Sequence, residues 1–387
     1  MSAIAETVVR VSPPSYPEIP EGGSDRRADV DSKQARIAKL LQDEGCEGLL
    51  LLEPENFLWL TSGGAARGTL SPDDLPALYF SAEGRWVITS NVDSQRLFDE
   101  EVDGLGFQLK EWPWHWGREQ LLADLCHNRT VASDRPFGNC KVVTSELRKL
   151  RRVMTGYEQA CCAALGSIIS HALEATCRTM KPKETEREIA GQLGHRLLHR
   201  GAHPVLIEVA ADGRSRRYRQ CGFTSLPVER YCVMVVTARK YGLCLTSSRA
   251  VAFGQPDSTF LKEHDAACKV CATYIASTWP DAVPGQVLSA GRQIFKLVGF
   301  EHEWRLSPQG HVTGRSPIEL LFTPNTDELL QAHWMVTWSG SVGAAFSTDT
   351  FLVTEQGPRC MTPTEMWPLK RIRIQGAEFV RPDLLVR

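Results

Sequence analysis

Helical and strand spacings alternate through the first part of this chain, and strands dominate the second. Ile37, Leu40 and Leu41 fall on one helical face after Asp31 and Ser32, either of which can cap a helix there. A buried strand follows at 47–52, a turn at Pro54-Glu55-Asn56, and a hairpin at 77–81 and 86–90 around Glu83-Gly84. Helical patterns at 94–101 and 118–126 and a short strand at 130–133 complete a succession that predicts a small α/β domain.

After a join at about 145–156, a long helical pattern runs over 157–180, with Ala160, Ala164, Ile168 and Leu173 among its apolar positions. Thr185-Glu186-Arg187-Glu188 has the form of a capping box, opening a helix that reaches about His199. Strands are expected at 206–210, 231–237, 243–253, 310–314, 334–340 and 344–354, with a helix-like run at 260–277.

A length of 387 residues suits two domains, expected at 29–150 and 151–387 behind a disordered or loosely docked arm at 1–28. Hydrophobic content of 42% and charged content of 23% are ordinary for a globular protein. The formal net charge of -2 gives no electrostatic reason to expect nucleic acid or an anionic membrane as partner. No apolar run approaches the ~20 residues of a spanning helix, and the first residues lack the apolar core of a signal peptide. These points lead us to expect a cytoplasmic protein.

Four side-chain groups have possible chemistry. The twelve cysteines are expected as buried free thiols; Cys268 and Cys271 have CxxC spacing but merely share a helix face. His195 and His199 are four apart, a metal-pair spacing without the glutamate that usually accompanies it. Trp112, Trp114 and Trp116 either cover a sheet edge or, on an exposed loop, line a pocket or partner surface. Arg214, Arg216, Arg217 and Arg219 form either a solvated turn or a clamp for a carboxylate or phosphate.

Several motifs together resemble the Xaa-Pro aminopeptidase, prolidase and creatinase family. Pro54, Asn56, Leu60, Thr61 and Gly63 keep the spacing of its amino-terminal domain, and Lys181-Pro182 with Thr185, Glu186 and Glu188 resembles its first inter-helix link. Tyr241-Gly242 and Arg249 match its central hairpin, Gly310-His311-Val312-Thr313-Gly314 its Gly-His loop, and Asp349-Thr350 through Gly357 its last strand. The resemblance implies an α/β domain followed by an α+β pita-bread domain, a curved, mainly antiparallel sheet structure. It also implies a homodimer whose amino-terminal domain leans over the neighbouring site, which gives Trp114 a place near substrate.

Metallopeptidases of that family hold two divalent ions on two aspartates, a histidine and two glutamates. The resemblance puts Val235 and Thr246 at the aspartates, His311 at the histidine, and Ser339 and Thr348 at the glutamates. Gln220 stands for a proton-shuttling histidine, and Ile318-Glu319 for a later His-Glu pair. One histidine and at most one carboxylate, Asp349 by a one-residue slip, would not hold a metal pair, so no metal or other cofactor is expected.

Creatinase shows that the fold also supports metal-free C–N hydrolysis. One expectation is therefore a metal-independent hydrolase or lyase of a small amino-acid-like amide or amidine. In it His311 is the acid/base beside Ser339 and Thr246, with Thr348, Gln220, Arg216, Arg217, Tyr241, Arg249 and Trp114 around the substrate. The alternative is an inactive peptidase homologue whose cleft binds a peptide, protein or small ligand, with His311 satisfied by neighbouring hydroxyls.

Overall fold

The computed structural model describes residues 23–67 and 75–387. Hydrophobic clusters divide the chain: two draw only on residues between Val30 and Leu150, three only on residues between Val153 and Leu385.

In the first half, α1 (Gly23–Glu44), β1 (Gly48–Leu51), α2 (Pro54–Leu60) and the hairpin β2 (Ala77–Ser81) and β3 (Gly84–Ser90) come first. A short α3 (Ser94–Arg96) runs into a π-helical turn over Leu97–Glu101, followed by β4 (Gln108–Trp112), α4 (Glu119–Cys126), β5 (Val131–Ser133), β6 (Lys141–Val142) and α5 (Thr144–Arg152). The strands form one mixed sheet in the order β4-β3-β2-β1-β5-β6.

Two local expectations are corrected here. The helix that Asp31 or Ser32 would cap already includes Gly23, so the arm expected at 1–28 is helical from 23; residues 1–22 lie outside the described residues. Its early turns hide from apolar periodicity because their buried face carries Asp29 and Lys33, an i,i+4 ion pair 2.5 Å apart, with Val30. The turn expected at Pro54 is instead the start of a helix. Proline suits a first helical turn, whose N–H has no partner anyway, and Phe57 to Leu60 are all buried.

The second half begins with α6 (Gly156–Thr179) and α7 (Glu186–His199), each opened by a complete capping box, on Thr155 with Glu158 and on Thr185 with Glu188. α6 alone among the described helices is long and apolar enough to cross a membrane, contrary to the run-length reading, yet 67% of its most apolar window is buried against the core. Next come β7 (His203–Ala211), β8 (Tyr231–Lys240), β9 (Leu243–Ala252), α8 (Ser258–Ala276), α9 (Pro284–Leu297), β10 (Gly310–Thr313) and β11 (Leu320–Leu321). The chain finishes with β12 (Met335–Val342), β13 (Ala345–Leu352), β14 (Arg359–Cys360), the hairpin β15 (Leu369–Ile374) and β16 (Ala377–Pro382), and β17 (Leu385–Val386).

Two sheets result, β17-β9-β8-β7 and β11-β10-β12-β13-β14, antiparallel except for the β9–β17 pair. α6 and α7 cover the first and α8 the second, with α9 behind it. The sheets meet where β9 lies against β13, and the faces turned away from these helices make up the cleft face, on which Val235, Thr246 and Thr348 are buried and His311 and Ser339 half-buried. The alternating tail expected as an edge strand or assembly arm is the β15–β16 hairpin, whose Ile372 packs on Cys268 and Ala272 of α8.

Salt bridges join the halves. Lys33, fully buried on α1, reaches Glu158 of α6 at 2.8 Å, and Arg315 closes on the same carboxylate. Arg151 binds Glu319 at 2.7 Å and donates to Asn56 Oδ1 at 2.8 Å. Tyr241 (φ 55°) and Gly242 (φ 67°) form the tight β8–β9 turn, both left-handed as a type I′ hairpin requires. A Cβ on Gly63 would come within 2.7 Å of the Tyr241 carbonyl oxygen, so glycine there lets the hairpin tip touch the amino-terminal half.

Candidate functional site

Strand register decides which side chains meet in the cleft. In the β8–β9 pair Val235 opposes Ser248 and Thr237 opposes Thr246, and the two-residue period puts all four on one face. On the facing sheet His311 opposes Thr337, Thr337 opposes Thr350, and Ser339 opposes Thr348. Val235, Thr246, His311, Ser339 and Thr348 therefore come together on the cleft face, as the motifs suggested.

The hydroxyls there are already committed to one another. Thr237 and Thr246 pair at 2.8 Å, Thr337 and Thr350 at 3.0 Å, and Ser339 and Thr348 at 2.7 Å. Across the seam, Thr246 N–H donates to Thr350 Oγ1 at 3.1 Å while that hydroxyl donates to the Thr246 carbonyl at 3.0 Å. Thr348 N–H donates to Ser248 Oγ at 2.8 Å. Mutual pairing lets neutral polar groups be buried without the penalty of an unsatisfied one.

His311 stands apart from this network. Its ring is half-buried, and burial pushes its pKa down to about 4, so it is neutral at ordinary pH. Among the described residues its ring makes no hydrogen bond. Both the His311–hydroxyl catalytic pair and the hydroxyl-satisfied histidine are thus corrected, because the hydroxyls bond to each other.

Asp349 settles the question of the one-residue slip. Thr348 faces the cleft, so Asp349 points the other way, where it meets Arg249 at 3.2 Å, Arg381 at 2.6 Å and Ser247 at 2.6 Å. Burial works to raise its pKa, but Arg249 and Arg381 outweigh burial and hold the carboxyl below its usual range. Arg249 is consumed by this cluster and does not line the cleft.

Other expected substrate groups also lie elsewhere. Tyr241 is at the hairpin tip, its carbonyl accepting from Arg315 at 2.8 Å and its ring 5.0 Å from the Lys240 ammonium. Trp112 is buried at the sheet, whereas Trp114 is 58% exposed, and its contacts with Asn91 and His115 stay in the amino-terminal half. Arg214 pairs with Glu186, Arg216 with Glu263 and Arg219 with Glu303, which corrects both the solvated turn and the anion clamp. Arg217 is exposed with its guanidinium over Tyr218, and Gln220 is also exposed. Glu319 is held by Arg151 and by the backbone N–H groups of Arg315 and Ser316. His195 and His199 simply stack on α7.

Motif matching missed Thr237, Thr337 and Ser341. Part of the signal was present as Ser or Thr at alternate positions: 246 and 248 in β9, 337, 339 and 341 in β12, 348 and 350 in β13. Arg219 of the basic turn approaches Ser341 Oγ at 3.4 Å at the end of β12.

This donor set does not suit a pair of divalent ions. Val235 has no ligand atom, three hydroxyls are neutral and mutually bonded, and one imidazole cannot offset the charge. Among the described residues, no group of three His, Cys, Asp or Glu side chains is arranged to hold a metal.

The architecture is that of the pita-bread proteins. No family model and no curated protein matches the sequence. Among solved structures, the prolidase from Pyrococcus horikoshii OT3 superposes with a TM-score of 0.73 at 18% identity, covering 86% of this chain and 99% of its own. The X-Pro aminopeptidase from Thermotoga maritima MSB8 gives 0.74 at 18%, covering 92% and 99%. The N-terminal domain of the FACT complex subunit SPT16 from chickpea (Cicer arietinum) gives 0.63 at 13%, covering 88% and 96%.

Proposed function

We propose that this chain is a divergent relative of the Xaa-Pro peptidases and creatinase, and that its cleft is a metal-independent binding site for a peptide-like segment. The observation that carries this reading is the closed set of hydroxyl pairs at Thr246, Ser339 and Thr348, where metal-bearing relatives need carboxylates. Two ionisable groups flank it on the same face, Glu208 opposite Val235 and Arg239 opposite Cys244, while Arg219 at the end of β12 is engaged by Glu303. A base with a pKa of about 4 is also poorly matched to catalysis near neutrality, where the best general bases have values close to the working pH.

The hydrolase or lyase reading has one observation in its favour: a neutral imidazole with no partner, free to accept a proton. Four measurements separate the two: metal analysis, calorimetric binding of Xaa-Pro dipeptides and blocked tripeptides, hydrolysis of those compounds, and hydrolysis of amidine substrates. We expect less than a tenth of an equivalent of metal, saturable binding of a blocked peptide and no turnover, with His311→Ala altering affinity alone. One or two ions per chain, or turnover lost in His311→Ala, overturns the binding reading.

A further inference from the structure

A second concavity shares no lining residue with the hydroxyl face. It lies between α8, α9, the turn at Glu303–Arg305 and β11, and has a volume of about 380 Å³. This falls within the range of small-molecule sites, roughly 300–1,000 Å³. Tyr274, Leu288 and Phe322 give it an apolar wall.

Its rim is cationic. Arg292 and Arg305 stack on Trp304, with guanidinium carbons 4.7 and 5.6 Å from the ring centroid. Stacking occupies the flat faces of the guanidinium groups and leaves their N–H edges to point outward. Of the carboxylates nearby, Glu303 is engaged by Arg219 and Glu301 lines an adjoining hollow with both arginines, and neither arginine has an ion-pair partner among the described residues. Two planar forks with free edges suit a bidentate anion, above all a carboxylate.

Gln309 closes the floor: its side-chain amide nitrogen donates to the Ser307 carbonyl at 2.7 Å, and its Oε1 is buried away from the cavity.

We propose that this cavity binds an amphipathic carboxylate with an apolar, preferably aromatic, body, a pattern that an N-acylated aromatic amino acid supplies. The carboxylate sits on the edges of Arg292 and Arg305, and the body lies against Tyr274, Leu288 and Phe322. The proposal does not depend on what the hydroxyl-lined cleft binds.

The probe is N-acetyl-L-phenylalanine, titrated calorimetrically against the full chain and compared with its uncharged carboxamide. We expect one saturable site for the acid and at least tenfold weaker binding of the carboxamide. Arg292→Gln should weaken the acid by tenfold or more, and Leu288→Trp should abolish binding by filling the cavity, in protein whose circular dichroism is unchanged. His311→Ala should bind as the wild type does. Absence of saturable heat with the acid, equal affinity for acid and carboxamide, or affinity unchanged by both Arg292→Gln and Leu288→Trp would overturn the assignment.

Discussion

Protonating His311 should cost this fold stability, and the cost can be worked out. Burial holds the imidazole pKa near 4, against an ordinary value of 6.5. Between those values the unfolded chain binds a proton that the folded chain refuses, so stability rises with pH across the window. The contribution is fully present above about pH 6.5 and is lost as pH falls through 4. A shift of this size amounts to about 3 kcal/mol. Part of the ring still meets solvent, so we expect about 2 kcal/mol. Urea unfolding of wild type and His311→Gln at about pH 7.5 and pH 4.5 reads this directly. The wild type should lose about 2 kcal/mol more than the variant over that interval. Equal losses, or a His311 ring resonance titrating near 6.5, would refute the claim that the cleft keeps this ring neutral.

Three further outcomes follow from buried charges and thiols. Lys33→Met should destabilise the protein by about 3–5 kcal/mol in urea at neutral pH, because Asp29 and Glu158 lose the ammonium between them. Burial would raise the Glu158 pKa, but Lys33 and then Arg315 bring it to about 2, so its stabilisation is present above about 4.5 and lost as pH falls toward 2; in Lys33→Met that loss should begin at higher pH. Asp349→Asn should cost about 3–5 kcal/mol and be indifferent to added manganese, since it strands Arg381 and leaves Arg249 only Glu174, rather than removing a ligand. Cys126 and Cys140, with sulfurs 3.7 Å apart, should form a disulfide under peroxide, losing two hydrogens by mass and gaining about 3 kcal/mol of stability that dithiothreitol reverses.

The composition of the cleft face was legible through the family resemblance, which singled out Val235, Thr246, His311, Ser339 and Thr348; the strand pairing is what sets them on one face. Asp349 could be assigned to the opposite face only once the pairing of β12 with β13 was known. The basic turn was misjudged because its partners are remote: Glu186, Glu263 and Glu303 lie 28, 47 and 84 residues from the arginines they bind. No local pattern announces such pairs. Tyr241 and Arg249 matched motifs correctly yet serve the scaffold, one as a left-handed turn residue and the other as a buried counter-ion.

The paired hydroxyls along the seam have a consequence for how this protein can change. Any single substitution that brings back a carboxylate, Thr348→Glu for example, would break a pair and bury a charge with no metal ion to meet it, a loss of several kcal/mol in a fold with about ten to spare. A second and third replacement would deepen the deficit before any ion could bind. Selection acting one residue at a time therefore meets a barrier on the way to a dinuclear centre. The face is held in its hydroxyl-paired state by the order in which mutations must arrive.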